Sequence, residues 1–156
     1  MTLSGLDRAA LTDLVHRYAA YVDDRRFDAV ADLFTEDAEL TLPDPPATLE
    51  PVRQHRGHTA ISAAISAVAA VIRTEHAIVG EVYDASRPDV AHGRVTCIAH
   101  HWSQDAAQLT DVVWHLRYDD EYQLTDAGWR TARRALTINA IETRPVRRLR
   151  ITGPSE

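Results

Sequence analysis

A carboxylate sits badly at the C-terminal end of a helix, where it faces the negative pole of the macrodipole at a cost of roughly 0.3–1 kcal/mol. The stretch "YAAYVDDRRFDAVADLF", residues 18–34, puts two there, Asp23 and Asp24, between an amphipathic run and a tight break. Arg25 and Arg26 can offset that cost, and a solvated helix end accounts for Asp24. Asp23 differs. At about 100° per residue it lies on the flank of the apolar stripe through Leu11, Val15, Tyr18 and Val22, while Asp24 points away. A carboxylate on that flank can reach a sheet beneath the helix. There it could accept a hydrogen bond from an imidazole, fix its tautomer, support its protonated form and make the other ring nitrogen a better base.

Eight histidines could supply the imidazole. Strand alternation over residues 73–83 groups His76 with Ile78, Gly80 and Val82. Over 90–104 it groups His100 with Arg94, Thr96, Ile98 and Trp102, opposite Val95, Cys97, Ala99 and His101. Over 109–122 it gives an apolar face of Val112, Trp114, Leu116 and Tyr118, with Asp111, Val113, His115 and Arg117 behind. Two histidines on adjacent strands, among apolar neighbours and under helices, fit a small-molecule pocket, and an Asp23–His100 dyad is the expected pair. No HxH, HExxH or close His/Cys/Asp cluster supports a metal. Without a serine nucleophile elbow, a glycine-rich phosphate loop or CxxC, acyl transfer, nucleotide and redox chemistry have no support either.

The elements that must position these groups follow from periodicity. Residues 5–24 repeat at helical spacing, with Ser4 or Asp7 as cap, and Phe27, Val30, Leu33 and Phe34 mark a shorter helix. A strand over 37–42 runs into the proline-rich "PDPPATLEP", read as a loop long enough to cover something. Residues 59–72, apolar nearly all round, predict a third helix packed on a sheet. The period then changes from 3.6 to 2, giving strands at 73–83, 90–104, 109–122 and about 128–143. Helices first and consecutive strands afterwards predict an α+β domain, helices on one face of a largely antiparallel sheet. One domain over 1–145 is expected, with 146–156 a flexible tail.

Composition limits the partners. With 45% apolar and 26% charged residues and a net charge of −6, the chain has no general attraction for nucleic acid or membranes. The basic run "RPVRRLR" reads as a solvated end. A single cysteine, Cys97, excludes an internal disulfide and reads as a small core residue. With no signal design at the N-terminus and no apolar stretch near 18 residues, a cytoplasmic protein is expected.

Four segments, "RYAAYVDDRRFDAVADLFTEDAEL", "TEHAIVG", "DVAHGRVTCIAHHW" and "GWRTARRAL", resemble in order and spacing the SnoaL-like proteins of the nuclear transport factor 2 superfamily. The resemblance spans roughly residues 5–140 and implies a cone: a strongly curved mixed sheet with three helices closing a deep apolar cavity. The scytalone dehydratase-like members are the most similar. Their aspartate at the end of the first helix falls on Asp23, and their two strand histidines on His76 and His100. The resemblance implies that Asp23 and His100 form the base while His76 handles the leaving hydroxyl or a water. Two family tyrosines fall near Val22 and Leu42, and a serine and an asparagine near Val112 and Trp114, so Tyr18, Tyr21 or Trp114 would have to act as donors. Tyr18, Tyr21, Leu42, Val112 and Trp114 are the implied substrate contacts.

The expectation is a cofactor-independent acid/base enzyme, a dehydratase, isomerase or cyclase, acting on a small hydrophobic cyclic carbonyl compound of the kind found in secondary metabolism. A non-catalytic binding or dimerisation module of the same fold is the alternative. An epoxide hydrolase or ketosteroid isomerase-like enzyme would need a second carboxylate in the cavity, and Asp111 lies behind Trp114. A dimer or trimer is expected through the uncovered sheet face, with Val95, Cys97, Val113 and His115 at the contact.

Overall fold

Ser4 and Asp7 open the first helix with a reciprocal capping box: Ser4 Oγ accepts the Asp7 N–H and Asp7 Oδ2 the Ser4 N–H, both at 3.1 Å. The computed structural model describes residues 2–151, in which this helix, α1, spans Gly5–Asp23. Its buried stripe is Leu11, Leu14, Val15, Tyr18, Ala19 and Val22, each large apolar member contributing ~1.5–3 kcal/mol through burial. The helix stops in a Schellman motif. Arg26 N–H bonds Tyr21 O at 2.8 Å, Arg25 N–H bonds Val22 O at 3.1 Å, and Arg25 takes the left-handed φ of 60° that glycine usually fills. Its guanidinium donates to Val68 O at 2.7 Å and Val71 O at 2.8 Å, which offsets that backbone cost.

The remaining elements are α2 (Phe27–Ala31), β1 (Phe34–Asp44), β2 (Thr48–Arg56), α3 (Gly57–Ile65), a 3-10 segment (Ser66–Ala70), β3 (Arg73–Arg87), β4 (Val90–Asp105), β5 (Gln108–Thr125) and β6 (Gly128–Val146). One mixed six-stranded sheet has the order β2-β1-β6-β5-β4-β3, antiparallel except for the parallel β1–β6 pair. α1 packs on β3 and β6, and α3 on β1 and β2, so the helices close over one face. Among the described residues no helix is long and apolar enough to cross a membrane.

Three expectations about elements are corrected. The second helix ends at Ala31, and Phe34 starts β1. The proline-rich segment is no covering loop but a hairpin: β2 pairs back on β1 as an edge strand, the one place where Pro51 leaves no ladder partner unsatisfied. The third helix is α-helical only to Ile65, and the 3-10 segment that follows buries none of its residues.

The larger correction concerns β4. Val95, Cys97 and Ala99 are fully buried under the helices, so His101, not His100, shares the inner face. Val95 and Cys97 are therefore core residues and Val113 is fully buried too, which leaves His115, half-buried, as the accessible member of the expected contact set. In β3 the register shifts between Ile78 and Gly80, so Glu81 and Tyr83 turn inward and Val82 outward. The expected tail is described only to residue 151, without regular structure after Val146; Arg150 O accepts from Arg73 Nε at 3.0 Å. Residues 152–156 of that tail lie outside the described residues.

Candidate active site

α1 ends where β3 begins to pass beneath it, and Asp23 reaches across. Its Oδ1 accepts from Thr74 Oγ1 at 3.0 Å and from His76 Nδ1 at 2.7 Å; its Oδ2 accepts the His76 backbone N–H at 2.9 Å. These three donors replace what the unfavourable helix end takes away. Asp24, by contrast, is exposed. A carboxylate only accepts, so the His76 proton resides on Nδ1 and Nε2 keeps its lone pair. The His76 side chain is 8% exposed and Asp23 22%, which limits screening of the pair.

His76 lines a cavity of about 370 Å³ whose walls are chiefly apolar. His101 lines it too, its ring 6.2 Å from that of His76 and 4.5 Å from the Trp114 ring. His101 Nδ1 donates to Val112 O at 2.8 Å, so its Nε2 is also an acceptor. Burial lowers the His101 pKa, opposed by that backbone bond, and the ring is neutral at pH 7. Two imidazoles thus present lone pairs to one apolar space. Burial in turn raises the Cys97 thiol to about 12, leaving it inert in the core.

The structure brings Asp23 to His76 and separates both from His100. His100 faces the opposite side of the sheet, where its Nδ1 lies 2.6 Å from Asp111 Oδ2 and its ring stacks on Trp102 at 5.3 Å. The reason is register. Thr74, His101 and Val112 lie side by side across β3, β4 and β5, and Glu75, His100 and Val113 form the next row, which must point the other way. Asp111 is buried, and its Oδ1 accepts the His101 N–H at 3.2 Å, bracing the inner histidine from behind.

Of the implied substrate contacts, Tyr18, Leu42, Val112 and Trp114 line the cavity. Tyr21 does not. It lies on the opposite flank of the α1 stripe from Asp23, with its hydroxyl bonded by Arg17 Nη1 at 3.2 Å and its ring under Arg26. Sequence reasoning missed His101, and the signal that finds it is Arg94: a charged residue sharing the His100 set disfavours that set as the core face. Among the described residues, no three His, Cys, Asp or Glu side chains gather as a metal-binding group.

The family model of the SnoaL-like domain matches residues 4–135. The chain belongs to the SnoaL-like domain family. Solved structures agree on the fold. A candidate scytalone dehydratase from Novosphingobium aromaticivorans superposes with a TM-score of 0.75 at 20% identity, over 97% of this SnoaL-like chain and 96% of that one. An NTF2-like protein with a cystatin-like fold from the same organism gives 0.66 at 22%, over 85% and 82%. A hexachlorocyclohexane dehydrochlorinase (LinA-type3) from Novosphingobium barchaimii gives 0.73 at 19%, over 97% and 100%. No curated protein sequence matches the chain. The SnoaL-like protein thus has the NTF2-like fold, an α+β arrangement of three helices and a six-stranded mixed sheet shared with proteins described as a dehydratase and a dehydrochlorinase.

Proposed function

We propose that this SnoaL-like protein is a cofactor-independent lyase that starts an elimination by removing a proton from a small, largely apolar cyclic substrate. The observation that carries this reading is the Asp23–His76 hydrogen bond of 2.7 Å beside an apolar cavity of about 370 Å³. Asp23 orients the ring and stabilises the imidazolium that forms, so Nε2 is the base. As Nε2 takes the proton, the C–H electron pair becomes the new double bond, and the leaving group, hydroxyl or halide, departs with its own bonding pair. His101, neutral and tautomerically fixed, holds a water by accepting one of its hydrogens, and that water donates the other to the departing group; a hydroxyl leaves as water with the proton taken up by His76 Nε2, a halide as the anion. Two proteins of the same fold, a candidate scytalone dehydratase and a hexachlorocyclohexane dehydrochlorinase, support the reading by analogy.

The test is a panel of cyclic β-hydroxyketones and halogenated cyclohexanes, followed by release of water or halide. One class is expected to turn over, and His76→Gln to lower its rate by about 10²–10⁴. Turnover that is unchanged in His76→Gln, or tight binding of panel members with no turnover at all, would replace this reading with a binding module.

A further inference from the structure

Asp23 stands two residues before an arginine, and a carboxylate and a guanidinium so close in the chain are free to pair. Burial lowers the Arg25 pKa and the charge of Asp23 opposes that, so the two groups are within electrostatic reach of each other. Yet the Arg25 guanidinium is bonded to Val68 O and Val71 O, and the carboxylate turns the other way, onto β3. The dyad with His76 is one of two pairings open to Asp23. A group on β3 has to decide between them.

β3 is an edge strand, so amides on its outer side have no ladder partner. Asp23 Oδ2 takes the His76 N–H at 2.9 Å, and Oδ1 takes two side-chain donors, His76 Nδ1 at 2.7 Å and Thr74 Oγ1 at 3.0 Å. Residues 74 and 76 stand one strand period apart on the same face. The amide alone would leave the carboxylate free to turn, because the terminal torsion of an aspartate is broad. Nor can the imidazole supply the second fixed point by itself, since its hydrogen is held on Nδ1 only while an acceptor stands there. The Thr74 hydroxyl carries its donor whichever tautomer His76 adopts. Thr74 is buried and does not line the cavity, so it bears on a substrate only through Asp23.

We propose that Thr74 is the positioning residue of the dyad: by donating to Oδ1 it commits the Asp23 carboxylate to His76 and away from Arg25, which keeps the His76 hydrogen on Nδ1 and Nε2 free toward the cavity. The kinetic consequence rests on the reading of His76 as the base. The tautomeric consequence does not.

Three variants separate donor from shape: Thr74→Val removes the hydroxyl and keeps the branching, Thr74→Ala removes hydroxyl and methyl, and Thr74→Ser keeps the hydroxyl and removes the methyl. Long-range ¹⁵N correlation spectra of the free protein, recorded where the rings are neutral, are expected to show His76 as the Nδ1–H tautomer in wild type and Thr74→Ser. In Thr74→Val and Thr74→Ala about a third or more of His76 should become Nε2–H, while His101, bonded to Val112 O, stays Nδ1–H throughout and reports an intact fold. On a substrate that wild type turns over, Thr74→Val should lose about 10–100-fold in kcat with KM within about twofold, and Thr74→Ser should return to within about threefold of wild type. A purely structural threonine would leave the His76 tautomer alone and would be impaired by loss of the methyl. Nδ1–H retained at His76 in Thr74→Val and Thr74→Ala, or Thr74→Ser as impaired as Thr74→Val, would overturn the proposal. A shifted tautomer with unchanged kcat would uphold the positioning by Thr74 and overturn His76 as the base.

Discussion

Asp23 Oδ1 and His76 Nδ1 are 2.7 Å apart on the cavity side of the sheet, and His100, the histidine that strand alternation paired with Asp23, is bonded to Asp111 at 2.6 Å on the other side. Both contacts, and that of His101 Nδ1 with Val112 O, require the hydrogen on Nδ1. Long-range ¹⁵N correlation spectra of the neutral rings are therefore expected to show all three as Nδ1–H tautomers. Asp23→Asn should disturb His76 and leave His100 as it was. An Nε2–H tautomer for His76 would dissolve the dyad.

His101 makes stability depend on pH in a definite direction. Burial lowers its pKa in the folded chain below the ordinary imidazole value of 6.5. Wherever pH lies below about 6.5, the unfolded chain then binds more protons than the folded one, so stability rises with pH. Its contribution is complete above pH 6.5 and is lost as pH falls toward the lowered value. Denaturant melts of His101→Gln at pH 7.5 and 5.5 should show a smaller acid loss than wild type; an equal or larger loss would reverse the assigned shift.

The Asp120–Arg134 pair is buried on both sides, with side chains 0% and 1% exposed. Removing one partner leaves an uncompensated charge, which costs about 3–5 kcal/mol. Asp120→Ala should lower the unfolding free energy by that order, and the double replacement Asp120→Leu with Arg134→Met by much less. Additive losses in the two-mutant cycle would show that the pair is not a unit.

Arg25 joins the end of α1 to the segment that borders the cavity. Its left-handed φ of 60° carries a cost of roughly 1–2 kcal/mol for a residue with a Cβ. Its guanidinium holds Val68 O and Val71 O, and both residues line the cavity. Arg25→Ala loses the latch and keeps the strain; Arg25→Gly loses both. Glycine should be the more stable variant by about 1 kcal/mol. In both, the Val71 amide, bonded to Val68 O at 3.3 Å, should exchange faster than in wild type. Equal stability of the two would remove the strain argument.

What was legible in the sequence followed from strong periodicity. The stripe from Leu11 to Val22 placed α1 and put Asp23, not Asp24, on a flank that reaches the sheet, and the structure uses that flank. The long apolar-polar runs gave β3 to β6. Alternation divides a strand into two sets without saying which one faces inward, and for neighbouring residues such as His100 and His101 that choice exchanges one imidazole for the other. The bulge after Ile78 hid the inward turn of Tyr83, because a register shift is made by pairing with a neighbour and leaves no period in the strand itself. The edge position of β2 was equally invisible, since proline content alone reads as loop. Asp111 and Arg134 acquire their roles only from strands that close around them, over separations no local pattern spans.

Two carboxylate–histidine pairs of the same geometry lie on opposite faces of this sheet, and the central claim is that only the inner one does chemistry. The direct comparison is kcat/KM of Asp23→Asn against Asp111→Asn on the same eliminated substrate. Asp23→Asn is expected to fall by about 10²–10⁴, and Asp111→Asn, whose carboxylate bonds His100 on the outer face and braces the His101 backbone, by less than about tenfold. A large loss in Asp111→Asn with Asp23→Asn near wild type would contradict the assignment of His76 as the base.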